Sequence, residues 1–455
     1  MKRFTLILAF LFLQAAGSFG QNRHVTVISG GILIDGTGKP PVAGVTEIIE
    51  NDRIAKLRPS KSFVVPQGAR VIDASGKFIL PGLIDTHVHL EMIGLSDIGE
   101  LPAGWSAKDK LRKLIAINAR LDLISGFTTV RDLGSTEAVL RIRDEIKSAK
   151  LRGPRIVASG RQLVKKSNEA PPNEMFMEYD GPESARAKVR LLAGMGVDVI
   201  KIRLTHSRPV PSLDEVRAIV DEAHRSGLRA TVHTDVPADD LVTLAIDAGA
   251  DGIEHNAPLR SHDAQTLARM AQRHMSLMAG AGAFYLQRID GAGLIDAFDQ
   301  AQSRLFPDVV LAALRAGLGS LHQQTQQMKQ AGWDAAQRQA SFIREMQRAR
   351  QAGVLVIFGT DCGAYGIVHG EQYKALYGET RMGSSAMEAI LMATRDAAVA
   401  LGKAAELGTI EPGKLADMII VSADPLADLR NLSQVYRVIK GGSVYDPAEL
   451  ISSAK

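Results

Sequence analysis

Cysteine is almost absent from this sequence: Cys362 stands alone among 455 residues, so no internal disulfide can staple the fold. An excess of either charge is also missing. Fifty-four basic side chains face 50 acidic ones, a formal balance of +4, which gives no reason to invoke nucleic acid or a membrane surface as partner. No low-complexity tract interrupts the chain. The apolar run near its start, Thr5 to Leu13, is too short for a comfortable membrane span. What remains is the composition of an ordinary soluble enzyme, 45% hydrophobic and 23% charged, with 42 glycines.

The first twenty residues have the layout of a secretory signal. Lys2 and Arg3 give a positive start, the apolar run follows, and small residues at Ser18 and Gly20 suit cleavage before Gln21. The expectation is an exported protein, periplasmic or secreted, with no membrane association once residues 1–20 are removed. Loss of Lys2 and Arg3 would leave a net charge near +2, from 52 basic and 50 acidic residues. No cysteine lies in this segment, which argues against a lipid-attached form.

Past the signal, both ends of the chain read as β-structure. His24 to Ser29, Gly31 to Ile34, Val45 to Ile49, Arg53 to Leu57, Arg70 to Asp73 and Lys77 to Leu80 are short extended runs, with Asp35-Gly36-Thr37-Gly38 as a turn. Asp417 to Ser422, Val435 to Lys440 and Ser443 to Tyr445 repeat the pattern at the other end. Residues 21–80 and 406–455 are therefore expected to meet in one small, β-sandwich-like domain. The middle, 81–405, alternates apolar strands with helical stretches, which implies a parallel α/β architecture. About eight strands favour a closed (β/α)8 TIM barrel. The stretch from about 280 to 350 exceeds a simple crossover and predicts an extra helical segment.

Metal-ligand residue types sit where those strands end. His87 and His89 lie two apart on one strand, so both can face one ion. His233, His255 and Asp361 end three others, and Lys201 interrupts an apolar strand. A parallel barrel gathers such ends at one face, where active sites lie. A lone strand-end histidine is more often a hydrogen-bonded core residue; five strand ends in the same phase are harder to dismiss. Neutral imidazoles with a carboxylate suit zinc or a related transition metal. Two ions need a bridging anion. Burial lowers the pKa of a lysine toward the neutral amine, which can add carbon dioxide and become a carbamate, so Lys201 is the candidate bridge.

These motifs resemble the metal-dependent amidohydrolase superfamily, in its imidazolonepropionase-related and prolidase-like branch. The resemblance rests on Ile34-Asp-Gly-Thr-Gly38, Ile79-Leu-Pro-Gly-Leu-Ile-Asp-Thr-His-Val-His89, Gly126-Phe-Thr-Thr-Val-Arg-Asp132 and Val199-Ile-Lys-Ile202. Ile253-Glu-His255, Gly359-Thr-Asp361, Ala393-Thr394 with Ala397-Ala398, and Gly408-Thr-Ile-Glu-Pro-Gly-Lys-Leu-Ala-Asp417 extend it to essentially the whole mature chain. It implies that His87, His89 and Asp361 bind the more buried of two divalent ions, that His233 and His255 bind the second, and that carboxylated Lys201 bridges them. Asp361 would also be the catalytic base. One stretch departs from the pattern. Related members carry a small, Gly-rich loop after the lysine, whereas here Arg203-Leu-Thr-His206-Ser-Arg208-Pro-Val-Pro211 is shorter and more basic. That leaves the substrate open. Arg203, His206 and Arg208 are candidate carboxylate contacts, and Tyr365 and His369, in the loop after Asp361, are further candidate substrate contacts.

The resulting expectation is hydrolysis of a C–N bond in a small molecule such as a dipeptide or N-acyl amino acid, by water activated on metal. A cyclic amide or amidine substrate, with a deaminase-like site, is the alternative. A catalytically silent binding relative would have lost ligands, and all six positions are present. A sugar-processing barrel would need two strand-end acids; Asp361 and Glu254 are available, but Glu254 should face away from its neighbour His255. The sequence leaves a homo-oligomer open.

Overall fold

The computed structural model describes residues 24–60, 63–94, 104–105, 108–169, 173–234, 239–255, 264–279, 303–330, 335–364 and 366–452. The signal-like segment and Tyr365 lie outside the described residues. Five strands come first: β1 (Val25–Leu33), β2 (Val42–Glu50), β3 (Arg53–Pro59), β4 (Arg70–Asp73) and β5 (Phe78–Pro81). The middle of the chain supplies β6 (Leu83–Val88), β7 (Phe127–Asp132), β8 (Arg155–Ala158), β9 (Gln162–Lys165), β10 (Phe176–Tyr179) and β11 (Val199–Arg203). It continues with β12 (Arg229–His233), β13 (Gly252–Glu254), β14 (Ser276–Ala279) and β15 (Leu355–Phe358). The last three are β16 (Met418–Val421), β17 (Val435–Lys440) and β18 (Ser443–Tyr445).

The two ends of the chain share one eight-stranded sheet, in the order β18-β17-β16-β5-β1-β2-β3 with β4 beside β1. A bridge between Arg53 and Leu415 ties β3 back to the segment entering β16. Its apolar side chains, among them Ile28, Ile49, Ile72, Ile79, Met418 and Ile439, form one core. The motifs that seemed remote in sequence touch here: Ile410 N–H donates to the Asp35 carbonyl at 2.9 Å, and a side chain at Gly36 would meet the Gly408 carbonyl at 2.7 Å. At the other turn, Gly442 has φ +72° and a Cβ there would sit 1.8 Å from the Asn51 carbonyl, so only glycine fits. Glu47 on β2 is fully buried, and neither carboxyl oxygen has a hydrogen-bond partner.

The barrel consists of β6, β7, β8, β11, β12, β13, β14 and β15. Parallel pairing runs β6-β7-β8 and β11-β12-β13-β14-β15. The Asp198 N–H to Ala158 carbonyl bond, 2.8 Å, joins β8 to the start of β11, and a parallel bridge from Val88 to Cys362 joins β6 to the segment after β15. Helices α1 (Lys108–Ile124), α2 (Glu137–Lys147), α3 (Pro182–Gly194), α4 (Leu213–Arg225), α5 (Asp239–Ala248) and α6 (Ala264–Gln272) pack outside. Their signals are local. Ser212 and Glu215 form a reciprocal capping box that starts α4, and Pro182 opens α3. Two helices, Asp308–Gln330 and Ala335–Gln351, fill the described part of the long segment before β15. Strands β9 and β10 form an excursion beyond the barrel's strand ends, with β9 beside Ile202 and Arg203. Four residues each is too short a run for periodicity to reveal.

Candidate metal centre

The ends of β6, β11, β12, β13 and β15 bring the six singled-out residues to one face. Asp361 is the hub. Its Oδ1 lies 2.9 Å from His89 Nε2 and 3.5 Å from His87 Nε2, and its Oδ2 lies 3.5 Å from His255 Nδ1. His87, His89 and Asp361 present ligand atoms within 4.8 Å of one another, all buried. The His255 ring stands 4.4 Å from that of His87 and 4.7 Å from that of His233. Lys201 is 1% exposed, and among the described residues its amine has no hydrogen-bond partner.

Two of these residues reach the site through unusual backbone. His255 has φ +62° and Asp361 has φ +58°, left-handed conformations that non-glycine residues rarely adopt and that cluster at functional sites. The turn at His255 is why simple strand alternation fails here. Glu254 and His255 are neighbours, yet both face the centre, which corrects the sequence reading of Glu254 as turned away. Glu254 is buried beneath the site. It accepts from His87 Nδ1 at 2.8 Å, from Arg131 at 2.7 Å and from the Thr231 hydroxyl at 2.5 Å.

Hydrogen bonds fix the tautomers. His87 donates Nδ1–H to Glu254, and His89 donates Nδ1–H to the Gly134 carbonyl at 3.1 Å. His87 therefore turns Nε2, with its lone pair, toward Asp361, whereas His89 Nε2 lies within hydrogen-bond distance of the Asp361 carboxylate, which raises the pKa of that ring against its burial. Burial drives the His87 ring down to about 3, with the Lys201 charge adding to the effect, and holds His255 well below its ordinary range. Neutral imidazoles are the form that ligates metal. For Asp361 burial opposes ionisation, but His255, His87 and His89 outweigh it and hold the carboxyl well below the usual carboxylate range. Burial pushes the Lys201 amine down to about 7, Glu254 and Asp361 opposing and Arg131 and Arg203 reinforcing the shift.

Supporting residues surround the candidate ligands, and sequence reasoning passed over most of them. Asp132 accepts from Leu90 N–H at 2.8 Å and holds the turn after His89. Asp85, pushed by burial to about 7, accepts from Thr360 N–H and hydroxyl and so ties β6 to the segment carrying Asp361. Asp122 on α1 accepts from His369 Nδ1 at 2.9 Å, while His369 Nε2 contacts the His89 carbonyl at 3.2 Å. A visible signal existed for Arg131 and Glu254, charged residues inside apolar strands.

The expected substrate contacts fare unequally. His369 is fully buried, its ring nitrogens engaged by Asp122 and the His89 carbonyl, so it braces the segment carrying the candidate ligand His89. His206 points outward and pairs with Asp240 at 2.9 Å. Arg208 is taken up by Glu178, at 2.7 Å, and the Lys165 carbonyl. Arg203 lies at the end of β11, in register with His233. Tyr365 lies outside the described residues.

Comparison with known proteins agrees with this geometry. The amidohydrolase family model matches residues 78–445. The chain is similar to 5-methylthioadenosine/S-adenosylhomocysteine deaminase of Symbiobacterium thermophilum, 26% identical over 426 residues that cover 88% of this chain and 85% of the relative. It is also similar to imidazolonepropionase of Hyphomonas neptunium, 26% identical over 386 residues, 80% of this chain and 83% of that one. Among solved structures, a Xaa-Pro dipeptidase with methionine bound in its active site superposes with a TM-score of 0.72 at 29% identity, covering 93% of this chain and all of that one. A family match across most of the length, on a barrel whose strand ends carry these ligand types, is decisive: the chain belongs to the amidohydrolase family.

Proposed function

We propose that this protein hydrolyses the C–N bond of a small amide, a dipeptide or N-acyl amino acid, with two divalent metal ions of the zinc type. The observation that carries the reading is the buried Lys201 amine, without a hydrogen-bond partner, facing a cluster of three histidines around Asp361. A buried amine left unpartnered is costly as protein structure alone. It fits as a carbamate bridging two cations, and the donor set of neutral imidazoles and one carboxylate fits zinc.

His87, His89 and Asp361 would hold one ion, His233 and His255 the other, with carboxylated Lys201 between them. Bound ions supply a water acidified to near neutrality and polarisation of the scissile carbonyl. The chain's own residues do the rest. Asp361, ionised and central, accepts the proton of the attacking water and returns it to the leaving nitrogen. Glu254, anchored by Arg131, keeps His87 in the tautomer that turns Nε2 inward. Hydrolysis of a cyclic amide or an amidine is the second reading, favoured by the similarity to the deaminase and to imidazolonepropionase. The signal-like first twenty residues support export, to the periplasm or the medium, and cell fractionation tests it.

Metal content tests the reading. Mature protein purified with bicarbonate and without chelator should carry close to two zinc-like ions per chain, falling toward one or none in Lys201→Ala. One ion, unaffected by Lys201→Ala, would redirect the search to cyclic amides and amidines. No metal in a well-folded sample that also refuses added zinc would end the hydrolase reading.

A further inference from the structure

The loop after the lysine strand is the stretch the sequence analysis set apart from the family pattern, and the structure singles out one residue at its start. Parallel register pairs Lys201 with Thr231 and Arg203 with His233. Residues two apart on a strand face the same side, so Arg203 shares the inward face with Lys201, one step nearer the mouth and roughly 6.6 Å along the strand. Outward-facing Ile200 and Ile202 pack in the main core between barrel and helices. The Arg203 side chain makes no salt bridge or hydrogen bond among the described residues, while its loop companions His206 and Arg208 are committed to Asp240 and Glu178. A guanidinium so placed, beside a candidate ligand histidine and without an anion of its own among the described residues, is a site for an anion.

The surface next to it is apolar. The Arg203 guanidinium lies over the Phe176 ring, 5.9 Å from its centroid, and Arg208 braces the same ring at 5.5 Å. Phe176 packs against a cluster of Met92, Met175 and Ala364. Met92 and Ala364 each lie one turn beyond a ligand: Met92 N–H donates to the His89 carbonyl at 3.0 Å, and Ala364 N–H to the Asp361 carbonyl at 3.1 Å. A carboxylate on Arg203 would therefore belong to a residue whose side chain meets Phe176 and methionine, a soft and adaptable wall.

We propose that Arg203 binds the free carboxylate of an apolar amino acid on the leaving side of the scissile bond, so that the substrates are N-acyl or N-aminoacyl derivatives of such amino acids. This rests on the hydrolase reading above and narrows it. The carboxylate is two bonds from the scissile nitrogen, which suits an anchor one strand step from the bridging position. Arg203 binds and orients; Asp361 keeps the proton transfer.

The test uses the metal-loaded enzyme with N-acetyl-L-methionine and its neutral amide, N-acetyl-L-methioninamide, together with L-methionine as a binding probe followed by calorimetry. Wild type should prefer the acid, and Arg203→Ala should shrink that preference on the order of 100-fold, chiefly through KM. Arg203→Lys should keep part of it. L-Methionine should bind wild type and lose affinity by a similar factor in Arg203→Ala. Equal loss on acid and amide, or an unchanged preference in Arg203→Ala, would overturn the assignment while leaving the hydrolase reading intact. L-Methionine binding that depends on Arg203, in an enzyme that cleaves neither amide, would keep the carboxylate site and reject the hydrolysis.

Discussion

His87 donates its Nδ1–H to Glu254 across 2.8 Å, and Glu254 is itself held by Arg131 and Thr231. A candidate ligand is thus oriented by a fully buried carboxylate. Burial raises the cost of ionising Glu254, yet Arg131 and His87 outweigh it and hold the group well below the ordinary range. The charge strengthens the His87 lone pair on the opposite nitrogen.

Glu254→Gln should leave the fold in place and weaken metal binding by about 10- to 100-fold, because the amide keeps the shape but loses the charge that orients His87. Zinc titration against a competing chelator measures this. Wild-type affinity in a folded variant would mean that strand β6 alone sets the His87 ring.

The Asp122–His369–His89 chain makes a second prediction. His369 contacts a carboxylate and a carbonyl, both acceptors, so both ring nitrogens donate, which requires the protonated ring. Burial opposes that charge and Asp122 more than compensates, raising the pKa. His369→Ala strips Asp122 of a buried partner and should destabilise the protein by about 3 kcal/mol, read from chemical denaturation. Bound zinc should fall with it, since the His89 carbonyl keeps only the Met92 N–H of its two donors. A loss below about 1 kcal/mol would show that Gln372, which also donates to Asp122 at 2.5 Å, suffices.

Glu47 gives a pH dependence far from the site. Burial alone pushes its carboxyl from 4.5 to about 8. The folded state keeps a proton that the unfolded chain releases above pH 4.5, so folding is favoured at low pH and stability falls as pH rises toward 8. The slope is at most ~1.4 kcal/mol per pH unit within that window. Glu47→Gln should flatten the change in Tm between pH 5 and pH 8. Parallel pH profiles for the two proteins would show that Glu47 does not stay neutral in the folded state.

Much of the site was legible because ligand chemistry is written in residue type and spacing. His87 and His89 two apart, Lys201 inside Val-Ile-Lys-Ile, and His233, His255 and Asp361 at strand ends needed only the rule that parallel barrels gather those ends at one face. Helix signals were equally local: the capping box at Ser212 and Glu215 places the start of α4 to a residue. The short β9–β10 excursion was hidden, since four-residue strands carry too little periodicity, and it supplies Phe176 to the mouth of the site.

The sequence by itself determined the barrel, the small β domain built from both chain ends, and the residue types available for metal, because hydrophobic period and donor chemistry are properties of neighbours along the chain. Only the tertiary structure decided which charged residues face one another. Glu254 turns inward beside His255 because His255 takes a left-handed backbone conformation, His369 withdraws behind His89 because Asp122 on a distant helix holds it, and Arg208 is taken by Glu178 while Arg203 is not. Such pairings depend on distances across the barrel, where a turn of one residue redirects a side chain, and no spacing in the sequence records them.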